Sequence, residues 1–322
     1  MRIIVHGIGA VGGTVAATLT FAGHEVVGIA RGDHLDAVRT SGLKMRTPGG
    51  DRVARFECVG SPSQIALRPD DHVVLAMKSQ HTARALEQLA AAGLSDQPVF
   101  CAQNGVENER LTLRRFPNVH GITVILPADF VTPGEIVAYG VPRHGIFDIG
   151  RYPAGCDDAD TALAEAATSA EIESFVQPDV MRSKYGKLLV NLTNIVEAAL
   201  GPDADTRAVE QALRAEGESA LTAAGIAWHD VGPADPRRKR LMEIHPVEGV
   251  ERCGNSSTQS LTRSTGSIES DHLNGEIVLL GRLHDVPTPV NAWFTALAAR
   301  MARQGSPPGS VTRGEVRDAL GI

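Results

Sequence analysis

The stretch Met1–Gly13, MRIIVHGIGAVGG, decides how this chain is read. Arg2 to His6 is a short apolar run of the kind that forms a buried strand. Gly7-Ile8-Gly9-Ala10-Val11-Gly12 follows at once and matches GxGxxG. Val11, Val15, Leu19 and Ala22 then recur at three- and four-residue spacing, which predicts a helix over Val11–Ala22. With 33 glycines in the chain the pattern alone arises by chance. Between a strand and a helix it reads as a dinucleotide-binding turn. Gly7 permits the tight turn, Gly9 lets backbone approach a pyrophosphate, and Gly12 lets helix and strand pack closely. The helix N-terminus offers free N–H groups and a positive dipole end to the phosphates. Gly7, Ile8, Gly9, Ala10, Val11 and Gly12 are therefore candidate cofactor-binding residues.

The next strand bears on which dinucleotide. Glu25 to Ala30 reads as strand two, and Arg31 follows it. In NAD enzymes an acidic residue at that place bonds the ribose 2′-hydroxyl. An arginine there pairs instead with a 2′-phosphate and stacks on adenine. Arg31 thus points to NADP(H), with Asp33 as the NAD alternative if the strand ends later. Beyond it, His34–Thr40 reads as a short helix and Val53–Val59 as an edge strand. His72–Met77 and Val99–Ala102 read as buried strands, and Gln80–Ala92 as an alanine-rich helix between them. Gly121–Leu126, Gly134–Tyr139 and Gly145–Ile149 read as three more strands, the last two as a hairpin. From Asp158 the chain turns rich in Ala, Leu and Glu and reads as helical. The expected division is a cofactor domain over 1–160, a helical domain over 161–304 and a flexibly joined tail over 305–322.

Composition narrows the partners. At ~150 residues per domain, 322 residues suit about two domains. A net charge of −7 and 4% aromatic residues disfavour nucleic acid and anionic membranes. Cys58, Cys101, Cys156 and Cys253 form no CxxC pair, which suits reduced thiols in the cytoplasm and no metal site. The first apolar run, broken by His6 and glycines, does not read as a signal peptide. His6, His72 and His120 read as structural histidines, Asp157, Asp158 and Asp160 as a solvated loop, and Arg237–Arg240 as a solvated helix face. No GxSxG, HExxH or Walker lysine is present, so hydrolase and P-loop chemistry lack support.

Four segments carry a family resemblance: MRIIVHGIGAVGG, ARGDHLDAVRTSGLKM, LAMKSQHTARAL and CAQNGVENE. With KLLVNLTN and IESDHLNGE through VPTPVN, they resemble the ketopantoate (2-dehydropantoate 2-) reductases over roughly residues 1–300. The resemblance implies an α/β Rossmann-like N-terminal domain, an all-α C-terminal domain and an active site in the cleft between them. It implies NADPH-dependent reduction of a small anionic 2-oxo acid, 2-dehydropantoate to (R)-pantoate, in pantothenate biosynthesis. Lys78 and Asn104 stand at strand C-terminal ends, where ligands bind in open parallel sheets. By resemblance both lie near the nicotinamide ribose and the substrate, with Gln103 and Gly105 shaping the loop.

Ketone reduction develops negative charge on oxygen and needs a cation or acid nearby. Lys187, among Leu188, Leu189, Val190 and Leu192, is the expected general acid, its pKa lowered by burial. At ~100° per residue, Asn191 and Asn194 would lie on the same helix face, about 40° and 20° from Lys187. Relatives carry an asparagine where this chain has Ile195, so Asn194 is the expected substitute. By the same resemblance Glu269 contacts the substrate hydroxyl as a second catalytic residue, and Ser257 holds the carboxylate. Asn274 and Gly275 are expected to serve helix packing, and Asp285 to take a left-handed backbone. The helical half is a candidate homodimer face. The alternatives are a paralogue acting on another ketone or imine, and a catalytically silent NADPH-sensing regulator.

Overall fold

The computed structural model describes residues 1–263 and 266–322. They pack as two compact units, residues 1–184 with 233–252, and residues 185–232 with 253–322. The first unit opens with β1 (Arg2–His6), α1 (Ala10–Phe21), β2 (Glu25–Ile29) and α2 (Gly32–Ser41). β3 (Leu43–Thr47), β4 (Gly50–Ala54) and β5 (Glu57–Val59) follow. Next come β6 (Asp71–Leu75), α3 (Thr82–Ala91), β7 (Val99–Cys101) and α4 (Asn108–Leu113). Then run β8 (Val119–Ile125), β9 (Ala128–Thr132), β10 (Glu135–Ala138), β11 (Gly140–Pro142) and β12 (Gly145–Arg151). α5 (Asp158–Ser169) and β13 (Ile172–Val176) complete this passage, and α6 (Val180–Asn191) runs from the first unit, which ends at Lys184, into the second.

The main sheet has eight strands in the order β13-β12-β8-β7-β6-β1-β2-β5. β5 through β8 in that order are parallel, and β12 runs antiparallel to β8. Both faces of the parallel part are buried, so its strands are continuous apolar runs. Within β1, Ile3 and Val5 join one core cluster and Ile4 the other. β1 lies between β2 and β6, where the winding reverses, so the turn after it opens at the sheet's switch point. A second sheet, β4-β3-β10-β9, packs on α1. Residues 12–19 of α1 are all buried as a result, which replaces the expected single apolar stripe.

The strand expected over Val53–Val59 is two, β4 in the second sheet and β5 at the edge of the main one. The expected hairpin does not form. β10 pairs with β3 and β9, β12 pairs with β8 and β13, and β11 lies between them in the chain. Alternation marks a strand but not its partner. The expected boundary at residue 160 falls too early, because α5 and β13 form a further crossover unit on β12. An alanine-rich context hid that five-residue strand.

The second unit carries α7 (Asn194–Leu200) and α8 (Arg207–Ala223). The chain then returns to the first unit with α9 (Pro236–Leu241) and β14 (Met242–Ile244), which pairs with β11. Arg237 is no solvated residue: it bonds Asp148 at 2.6 Å, and that carboxylate is 1% exposed. Asp235 accepts from the same guanidinium at 2.7 Å. The second unit resumes with α10 (Ser256–Thr262), a 3-10 turn over Glu269–His272 and α11 (Asn274–Leu283). It ends with α12 (Pro289–Gln304) and α13 (Arg313–Leu320), and its described residues contain no strand. Glu216 accepts the Val290 and Asn291 N–H groups at 2.8 and 2.9 Å, satisfying the start of α12. The tail is held to α7 by Gly309 and Val311 N–H bonds, both 3.0 Å, which corrects the expected flexible connection. Asp285 takes φ 54°, as expected.

Candidate functional site

The turn after β1 is shaped by contacts that admit no side chain at two of its glycines. At Gly7, φ is +97° and a Cβ would lie 2.8 Å from the Met77 nitrogen. At Gly12 a Cβ would lie 2.2 Å from the Gly7 carbonyl oxygen and 2.8 Å from Ala76 Cβ. Gly9 is the opposite case, with nothing within 4 Å of such a Cβ. The helix it caps has no side-chain cap and no acidic residue in its first turn. An open backbone face beside an uncapped helix N-terminus fits a dinucleotide pyrophosphate. β2 ends at Ile29, so Arg31 is the first charged residue past the strand, exposed and extended in backbone.

One histidine braces this turn and a second precedes it at the end of β1. His34, which sequence reading placed only in a helix, donates from Nε2 to the Ile8 carbonyl at 2.8 Å. Its Nδ1 accepts the Gly134 N–H at 2.9 Å, so the ring is neutral and joins the turn to the second sheet. His6 is buried, and burial, with Arg31 adding to it, pushes its pKa down to about 4. Burial lowers His34 and His72 as well. These rings are neutral in the folded state and take up protons near pH 6.5 when unfolded. Their stabilisation is complete above about pH 6.5 and is lost as pH falls toward the folded values. For His6 alone the loss by pH 4 is about 3 kcal/mol. Urea midpoints are expected to drop between pH 7 and 4.5, with a shallower slope in His6→Asn; an unchanged slope would contradict the assignment.

Lys78 and Asn104 stand at matching positions, each three residues past its strand, and β6 and β7 are paired neighbours through Leu75 and Cys101. Their loops are tied by a buried polar network. Gln103 Nε2 donates to the Met77 carbonyl at 3.0 Å and to Thr82 Oγ1 at 2.7 Å. Thr82 donates to Asn108 Oδ1 at 2.7 Å. Asn108 Nδ2 and Ser79 Oγ both donate to the Asn104 carbonyl, at 3.1 and 3.3 Å. Sequence reading found Gln103 but missed Ser79, Thr82 and Asn108, whose only signal is polarity beside strand ends.

In the second unit, Lys187 Nζ donates to Asn191 Oδ1 at 2.8 Å, one helical turn on. Asn191 is 3% exposed, and its Nδ2 makes no hydrogen bond among the described residues. Asn194 does not share that face. α6 ends at Asn191 and a new helix begins at Asn194, so the expected helical angle does not apply. Its contacts run to α10 instead: Nδ2 to Ser256 Oγ at 3.5 Å, and its carbonyl from Asn255 Nδ2 at 3.0 Å. Ile195 is fully buried in the apolar interior. Ser257 is buried near the N-terminus of α10, where Asn255 Oδ1 accepts its N–H at 2.9 Å. Glu269 is buried in the 3-10 turn that leads into α11. Asn274, at the start of that helix, donates to the Leu192 carbonyl at 3.1 Å, tying this segment to the break after α6.

Two family models match the chain. Residues 3–154 match the ketopantoate reductase PanE/ApbA model, and residues 179–302 match the PanE/ApbA C-terminal model. The chain belongs to the ketopantoate reductase family. A 2-dehydropantoate 2-reductase of Mesorhizobium japonicum is 28% identical, the match covering 94% of this chain and 98% of that protein. The Pyrococcus abyssi 2-dehydropantoate 2-reductase is 27% identical, over 90% and 94% of the two chains. The crystal structure of a PanE/ApbA family ketopantoate reductase from Ralstonia eutropha JMP134 superposes with a TM-score of 0.78 at 26% identity. That match covers 95% of this chain and 99% of the other. D-mandelate dehydrogenase shares the fold, with a TM-score of 0.77 at 20% identity over 95% and 99% of the chains. A Rossmann-like unit and a helical unit are thus the architecture of a ketopantoate reductase, an oxidoreductase family. Among the described residues no helix is long and apolar enough to cross a membrane.

Proposed function

We propose that this chain reduces a small 2-oxo acid with NADPH, 2-dehydropantoate to (R)-pantoate foremost, with Lys187 as general acid. The observation that carries the reading is the pair Lys187–Asn191. The Lys187 amine and the buried Asn191 Nδ2, which makes no hydrogen bond among the described residues, lie together on one turn of helix. An unpaired buried N–H costs about 1–3 kcal/mol, which an acceptor oxygen of a bound substrate offsets. NADPH, held at Gly7–Gly12 and by Arg31, supplies the hydride when bound. Lys187 stabilises the oxygen as its charge develops and then protonates it. Asn191 orients the oxo acid; Ser257 and Glu269, in the roles the family resemblance gives them, hold its carboxylate and hydroxyl. Lys78 and Asn104 meet the nicotinamide ribose and the substrate. The burial of Ile195, where relatives place an asparagine, favours a second reading in which the preferred 2-oxo acid differs from 2-dehydropantoate.

The test follows NADPH and NADH oxidation with 2-dehydropantoate and a panel of other 2-oxo acids. Turnover of 2-dehydropantoate with NADPH preferred is expected. Arg31→Ala should lower kcat/KM for NADPH by about 10- to 100-fold, the worth of charge-assisted bonds to one phosphate, and leave NADH within a few-fold. Preference for NADH in the wild type would overturn the assignment of Arg31. NADPH binding without turnover of any oxo acid would instead indicate a silent regulator.

A further inference from the structure

A second lysine on α6, Lys184, lies outside the segments quoted above for the family resemblance. Its side chain is 2% exposed and lies within the first unit. Nζ donates to the Cys101 carbonyl at 3.2 Å, to the Gln103 carbonyl at 3.0 Å and to the Glu109 carboxylate. Its three protons therefore have three acceptors. Gly121 on β8 leaves the room: a Cβ there would lie 3.4 Å from both Glu109 Oε1 and Lys184 Cδ. Burial raises the Glu109 carboxyl above its ordinary range against the pull of Lys184, and Oε2 makes no hydrogen bond among the described residues.

Such a pair is a poor device for stability alone, since apolar side chains of similar volume often serve as well. Apolar side chains cannot bind two carbonyls. The Gln103 carbonyl belongs to the peptide that enters Asn104, and the Asn104 carbonyl is held by Ser79 and Asn108. Both peptides flanking Asn104 are thereby fixed. The geometry points to Lys184 as a positioning residue that holds the loop bearing Asn104, with Glu109 as its counter-charge. The assignment rests on the reductase reading, in which Asn104 meets cofactor and substrate.

The decisive variant is Lys184→Met/Glu109→Leu, which removes both charges together and leaves neither buried alone. Arg2→Met/Asp71→Leu is the matched control. That pair is also buried, at 6% and 0%, but at the other end of β1 and β6. The Lys184/Glu109 variant is expected to lower kcat by about 10- to 100-fold, as small misplacements do. It should also speed amide hydrogen exchange across residues 102–106. The control should leave kcat, KM and that exchange at wild-type values whatever its melting temperature. Wild-type kinetics and exchange in the Lys184/Glu109 variant, or equal kinetic loss in the control, would overturn the proposal. If the double variant does not fold, Lys184→Gln, which keeps a donor near one carbonyl, is read by the same quantities. If the wild type turns over no oxo acid, the reductase reading has failed, and exchange across 102–106 alone decides the role of Lys184.

Discussion

Lys187→Ala is expected to lower kcat for the preferred oxo acid by about 10²- to 10⁴-fold, the usual contribution of a positioned general acid. The NADPH dissociation constant should stay within a few-fold, because the cofactor turn belongs to a different compact unit from Lys187. Substrate KM should rise less than kcat falls, since the amine acts most strongly on the charge that appears in the transition state. Asn191→Ala separates two contributions. It removes the acceptor that fixes Nζ at 2.8 Å and also the unpaired Nδ2. Its effect should therefore divide between kcat and KM. Undiminished turnover by Lys187→Ala would remove the lysine from the mechanism while leaving the family membership intact.

Gly12→Val should abolish NADPH binding in the practical range and destabilise the first unit. Its Cβ would overlap the Gly7 carbonyl oxygen at 2.2 Å, a backbone atom that no side-chain rotation can move. Overpacking of this kind costs about 1–3 kcal/mol, and relief requires the turn to shift. Gly9→Val is the informative partner. Nothing lies within 4 Å of its Cβ, so the folded protein without cofactor should melt within a degree or two of the wild type. The same side chain would stand where the pyrophosphate approaches, so NADPH should no longer raise the melting temperature. Thermal melts with and without NADPH read both effects. A Gly9→Val protein still stabilised by NADPH would show that the dinucleotide does not approach this face.

The elements flanking the glycine turn were legible because each has a local cause. Continuous apolar runs marked β1, β6 and β7, and their ends placed Lys78 and Asn104 in adjacent loops. Lys187 and Asn191 were legible because a four-residue spacing on one helix is geometry in itself. What failed depended on distant partners. β3 and β9 were missed because their half-polar sequences gain a buried face only when packed on α1. Asn194 was misplaced because nothing local in KLLVNLTN announced the break at Leu192–Thr193. Lys184 and Glu109 lie 75 residues apart in the chain, and each reads alone as an ordinary surface charge.

The return of residues 233–252 to the first unit bears on how this protein is made. On the ribosome, residues 1–184 emerge with β11 lacking β14 and with the buried Asp148 carboxylate lacking Arg237. A carboxylate left unpaired in that setting is strongly destabilising. The first unit therefore finishes folding only after residue 252 has left the exit tunnel, when all of α7 and α8 has already been synthesised. For the engineer the same connectivity means that no single cut separates the two units. A cofactor module grafted into another reductase must carry residues 233–252, for example joined to its end by a new linker.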